Sequence, residues 1–168
     1  MVIYQFTDEE KEQVRAEARR RQECNQERGI KGRNNARSWG RKALAMHKWG
    51  AAGEMAVAGF LNLKDHLYTD IRPIKGSYDL PFKIDVKTSM RHRASMPVQK
   101  RDALDKIYWH VTIEDQECRI HGWLERKYCT HPMYWKDPVG GRPAFFVPKE
   151  ALNRPQSFYE CFPSLTPR

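Results

Sequence analysis

Long apolar runs are scarce in this chain. Near its middle the longest uncharged apolar stretch, Met55 to Leu63, has nine residues, whereas a bilayer-spanning helix needs about 20. No membrane span is expected, and the amino terminus, Met1 to Phe6 followed by an acidic run, lacks the positive-then-apolar order of a secretory signal. The expected location is therefore cytoplasmic. Cysteine is also sparse: Cys24, Cys118, Cys129 and Cys161 form no CxxC pair, which argues against a disulfide scaffold and a ribbon-type zinc site and leaves reduced thiols. Cys118 and His121 lie three apart on an expected strand and face opposite sides, and Cys129 and His131 do not have usual ligand spacing, so zinc is not assigned. Internal repeats and low-complexity tracts are absent too.

What is abundant is positive charge. Lys and Arg number 30 against 21 Asp and Glu, a net +9 in 168 residues. One domain with decorations suits that length, and a polyanion, nucleic acid first of all, suits that charge. The excess is concentrated. Residues 28–53 carry seven Lys or Arg, no acid, five glycines, and Trp39 and Trp49. This stretch reads as a basic arm whose cations meet phosphates and whose aromatics stack on bases. Arg33, Arg37, Arg41, Lys42 and Lys48 are its candidate DNA contacts, and Arg91, Arg93, Lys100 and Arg101, a second basic stretch, would track the same phosphate backbone.

Thr7-Asp8-Glu9-Glu10 is a capping-box signature, which predicts a helix from Asp8 to about Arg28, before Gly29. Its apolar content is thin, so it is expected to pack weakly or onto a partner subunit. A second helix is expected from about Ala51 to Asn62, where Val57, Ala58 and Leu61 recur at helical spacing. Glu54 lies on that same apolar stripe, a carboxylate where a core residue belongs. Downstream, Phe82, Ile84, Val86 and Thr88 alternate with Lys83, Asp85, Lys87 and Ser89, the period of a strand, so Asp85 and Lys87 share one face. Ile107 to Ile113 and Cys118 to Leu124 read as a hairpin, Ala144 to Val147 as a further strand, and Lys149 to Asn153 as a short helix.

Asp79, Asp85 and Lys87 form the constellation that carries chemistry. Paired carboxylates bind hard cations such as Mg²⁺ through oxygen, and a lysine two positions along the same face points into the same site. The grouping suits phosphodiester hydrolysis: a metal polarises the phosphate and acidifies a water, and the ammonium stabilises the developing charge. Glu54 fits as a further ligand.

With Gly53-Glu54 opening a helix, then Asp79, then Ile84-Asp85-Val86-Lys87-Thr88-Ser89, the chain resembles the PD-(D/E)xK nuclease superfamily, including small phage nucleases and archaeal Holliday-junction resolvases. Gly122-Trp123-Leu124 is similar to a hairpin end in those phage proteins. The resemblance covers about Gly50 to Leu124. It implies an α/β, restriction-endonuclease-like fold, a central mixed sheet flanked by helices, here with an added N-terminal helix and basic arm. It implies Asp79 and Asp85 as metal ligands, the Val86 carbonyl as a third, Glu54 as a direct or water-mediated ligand, Lys87 as the catalytic lysine, and Mg²⁺ or Mn²⁺ as the cofactor. Tyr78 stands where the family has proline. Only five residues separate Asp79 from Asp85, short for a strand, turn and return, so Asp70 is the reserve candidate for the first ligand.

The expected organisation is an N-terminal helix and basic arm over 1–49, a nuclease core over 50–148 and a C-terminal extension over 149–168. The expected activity is metal-dependent hydrolysis of double-stranded or branched DNA by an endonuclease of phage or bacterial type, acting in the host cytoplasm if phage-encoded. Cutting both strands calls for two sites and hence a homodimer. The alternative is a catalytically inactive nucleic-acid-binding protein on the same fold. Mutual repulsion among the site carboxylates leads to the expectation that Asp85→Asn preserves or slightly raises stability.

Overall fold

A computed structural model describes residues 1–29, 41–68, 78–138, 140–163 and 166, without the side chains of Arg41 and Lys42. Helix α1 spans Asp8–Glu27, and its start follows the sequence: the Thr7 hydroxyl accepts from the Glu10 amide, and the Glu10 carboxylate accepts from the Thr7 amide. Its few apolar residues suffice to seat it within the chain. Val14 and Ala18 are buried, and Val14 packs with Ala51, Ala52 and Met55 of helix α2, Arg41–Phe60. So α1 packs on its own chain, because the small residues of α2 let a narrow stripe make close contact and ion pairs complete the interface.

Helix α2 begins at Arg41, well before the expected Ala51. Arg, Lys, Ala, Leu and Met fill its first turns and are strong helix formers, whereas glycine reads as a breaker. Here Gly53 and Gly59 are packing residues: a Cβ on Gly53 would collide with the Thr88 side chain, and one on Gly59 with the Tyr4 ring. The close approach presses α2 onto the sheet.

The described strands are β1 (Val2–Tyr4), β2 (Ile84–Ser89), β3 (Met96–Val98), β4 (Ile107–Glu114), β5 (Glu117–Glu125), β6 (Trp135–Lys136) and β7 (Ala144–Val147). They make a four-stranded sheet of order β1-β5-β4-β2 and a three-stranded sheet of order β3-β7-β6. Strand β2 runs parallel to β4, whereas β5 is antiparallel to β4 and to β1, so the larger sheet is mixed and the chain is α/β. The β4–β5 turn is Asp115-Gln116, both with positive φ, as a tight two-residue hairpin requires.

Ile84, Trp109, Val111 and Ile120 face α2 and pack with Ala56, Val57 and Leu61. Short helix α4, Phe158–Cys161, closes this side, with the Phe158 ring edge-on to Trp109 and Trp123. On the opposite face Tyr108 and Leu124 pack with Met96, Val98 and Val147 of the smaller sheet and with Cys129 of the one-turn helix α3, Arg126–Cys129. The expected helix after Pro148 is a 3₁₀ turn, Lys149–Ala151. No helix among the described residues is long and apolar enough to cross a membrane.

Candidate active site

Strand β2 is the end strand of its sheet, so one of its edges is free of β4. The chain immediately before it folds back onto that edge. Phe82 and Lys83 hold φ of 62° and 63°, a left-handed conformation that non-glycine residues adopt rarely. The reversal closes with Asp79 and Leu80 amides donating to the Ile84 carbonyl, at 3.0 and 3.2 Å. It also lays the Asp79 carboxylate against the Val86 amide, at 2.7 Å. Five intervening residues are thus enough, because a strained turn replaces an ordinary hairpin. The N–H and C=O of a strand residue leave the same edge, so the Val86 carbonyl emerges on the Asp79 side. Asp70 lies outside the described residues.

Asp85 and Lys87 share the face opposite α2, as their spacing predicts. Their charged ends meet at 2.6 Å. Asp85 is buried, and its second oxygen accepts from Lys106, a buried lysine at the entry of β4. Burial works against charge on Lys106, but the Asp85 contact outweighs it and holds the ammonium above its ordinary range. Lys87 also lies 3.8 Å from Asp102, and its ammonium stands 5.1 Å from the centroid of Tyr108, whose hydroxyl donates to Asp102 at 3.0 Å.

Glu54 reaches the same region from α2. It is buried and clasped by Arg21 of α1, with Nη1–Oε1 and Nη2–Oε2 distances of 2.8 and 2.5 Å. Arg21 Nε donates to Glu17 at 2.7 Å. Burial pushes the Glu54 carboxyl above its ordinary range in spite of Arg21, and the charges of Glu17 and Asp85 add to that push. These residues explain the acid on an apolar stripe: the stripe turns from the core toward a cleft of about 490 Å³ whose lining includes Arg21, Glu54, Tyr78 and Asp79.

Asp79 joins the two halves. Burial first, and then the charges of Glu54 and Asp85, raise its carboxyl to about 7 against the pull of the Val86 amide and Lys87. Carboxylates from a helix, a turn and a strand therefore lie close enough to raise one another's proton affinity. Compared with known protein families, curated proteins and solved structures, the chain matches none.

The carboxylate oxygens here are hard donors, the kind Mg²⁺ or Mn²⁺ takes in preference to softer metals. Among the described residues no three His, Cys, Asp or Glu side chains already stand as a metal cage. Glu54 and Asp85 are held instead by Arg21, Lys87 and Lys106.

The candidate DNA contacts are more scattered. Arg33, Arg37 and Trp39 lie outside the described residues, and Arg41 and Lys42 begin α2. Lys48 is exposed on α2 beside Trp49, at a separate cleft of about 570 Å³. Arg91 and Arg93 are exposed after β2, and Lys100 and Arg101 are exposed on the loop that leads to Asp102. Sequence reasoning missed Arg21, Asp102 and Lys106. Lys106 carried one signal, a lysine directly before an apolar strand, but Arg21 looked like any solvated helix cation.

Proposed function

We propose that this chain is a metal-dependent deoxyribonuclease of PD-(D/E)xK type on a restriction-endonuclease-like core, cleaving DNA internally. One observation carries the reading: Glu54, Asp79, Asp85 and Lys87, singled out by spacing and residue type, come from three separate segments and lie within electrostatic reach of one another. When bound, Mg²⁺ or Mn²⁺ would polarise the scissile phosphate and acidify an attacking water. The chain's own residues do the rest. Asp79, Asp85, the Val86 carbonyl and Glu54 supply oxygen donors. Arg21 sets the orientation of Glu54, and Lys106 that of Asp85. Lys87, with 23% of its side chain exposed, is the ammonium placed to neutralise charge that develops on the phosphate oxygens. The water oxygen bonds to phosphorus as a bridging P–O bond breaks, and the leaving oxygen takes up a proton.

A DNA-binding protein without catalysis is the second reading, and the cationic partners of Glu54 and Asp85 favour it. Linear, nicked, single-stranded and four-way-junction DNA incubated with Mg²⁺ and with EDTA separates the two. The nuclease reading requires cleavage in Mg²⁺, none in EDTA, and none by Asp85→Asn. DNA that is bound but left intact in Mg²⁺ and Mn²⁺ would establish the second.

A further inference from the structure

We infer a second subsite next to the first, a stacking shelf for one unpaired DNA nucleotide built on Trp135 and Lys100. Its purpose rests on the nuclease reading, and it names a substrate class for that reading: DNA with an unpaired nucleotide beside the scissile phosphate.

Trp135 is 40% exposed although it is among the largest apolar side chains. Phe145 supports its ring, with centroids 4.8 Å apart, and the Lys100 ammonium stands 6.0 Å from its centroid. Beneath Phe145 lies Arg126, its guanidinium 5.7 Å from that ring and the residue only 2% exposed. Arg126 Nη2 donates to the carbonyls of Gln99 and Lys100, at 3.3 and 3.1 Å, while its Nε and Nη1 have no hydrogen-bond partner among the described residues. Cations and aromatics therefore alternate from the buried layer to the surface. Two nearby acids have other partners: Asp102 accepts from the Tyr108 hydroxyl and the Gln99 amide, and Asp137 from the Gly141 and Arg142 amides at 2.6 and 3.0 Å.

The same loop ties the shelf to the candidate active site. Asp102, 3.8 Å from Lys87, is two residues from Lys100, and two residues of chain span at most about 7 Å. Every base presents a π-face to an exposed indole, and Lys100 and Arg101 suit the phosphates on either side. A base within an intact duplex is already stacked and paired. Only a frayed end, flap, gap or junction offers one to Trp135.

The test measures binding in EDTA, where no cleavage intrudes, using fluorescein-labelled oligothymidylate and a blunt duplex of equal length. Trp135→Ala should weaken oligothymidylate binding about 5- to 150-fold, which corresponds to the 1–3 kcal/mol of one base–aromatic stack. Duplex binding should change less than about twofold on the same scale, and Trp135→Phe should retain most of the single-strand affinity. Equal losses on both DNAs, no loss on either, or a parent protein that binds neither would each overturn the shelf. Single-strand binding lost in Trp135→Ala from a parent that cleaves nothing in Mg²⁺ would uphold the shelf and remove the nuclease reading. Cleavage by the parent in Mg²⁺ and none in EDTA, with unchanged binding in Trp135→Ala, would do the reverse.

Discussion

Replacing Asp79 by Asn should stabilise the metal-free protein at alkaline pH and leave it almost unchanged at acid pH. The Asp79 carboxyl sits at about 7 in the folded chain against an ordinary 3.8, first through burial and then through Glu54 and Asp85. A carboxyl raised in this way favours folding only while protonated. Its contribution is complete below the unfolded value, falls as pH rises from 3.8 toward 7, and is gone above that, where the folded protein holds an ionised and repelled carboxylate. At about 1.36 kcal/mol per pKa unit the shift corresponds to no more than about 4 kcal/mol, and sharing among three carboxylates brings it to roughly 2–3 kcal/mol. Asparagine drops the charge and keeps an oxygen for the Val86 amide. For a domain of this size 1 kcal/mol moves Tm by about 2–4 °C, so calorimetry in EDTA should show a rise of roughly 5–10 °C at about pH 8 and under about 2 °C at about pH 4. Mg²⁺ should then raise the Tm of the parent and not of the variant. A Tm gain equal at the two pH values, or a loss at the higher one, would refute the repulsion argument.

Asp85→Asn should abolish cleavage and, against the sequence expectation, destabilise by about 3–5 kcal/mol in urea unfolding, because it strips the buried Lys106 of its partner. Gly53→Ala should cost about 1–3 kcal/mol by the same measurement, since the new methyl meets Thr88 on β2, and it should lower activity by shifting Glu54. Burial, with the charges of His121 and Lys149 adding to it, holds His110 at about 3, so stability is full above the ordinary 6.5 and is lost as pH falls from there. Neither His110 ring nitrogen has a hydrogen-bond partner among the described residues, so His110→Leu should flatten that acid limb when unfolding is compared between pH about 5 and 7.5. Alanine at Arg33, Arg37, Arg41 and Lys42 should weaken duplex binding and reduce the log–log salt slope by about 0.9 per lost phosphate contact; an unchanged slope would remove the arm from the phosphates.

Features set by near neighbours were legible in the sequence. Thr7 and Glu10 announced the start of α1, since capping is settled within one turn. Period-two alternation put Asp85 and Lys87 on one face, and the β4–β5 hairpin followed from two short runs around polar residues. Glu54 betrayed itself as an acid on an apolar stripe. The start of α2 did not show, because glycines that serve close packing look like glycines that break helices. Only the tertiary structure decided that β2 runs parallel to β4, a pairing that no turn specifies. It also decided that Asp79 returns to the free edge of β2, through a turn that runs against the φ preferences of Phe82 and Lys83. Arg21 found Glu54 from 33 residues away and Lys106 found Asp85 from 21. Local propensity cannot choose such partners: an exposed and a buried charge look alike in sequence, and desolvation, which makes pairing obligatory, exists only once the chain has folded around them.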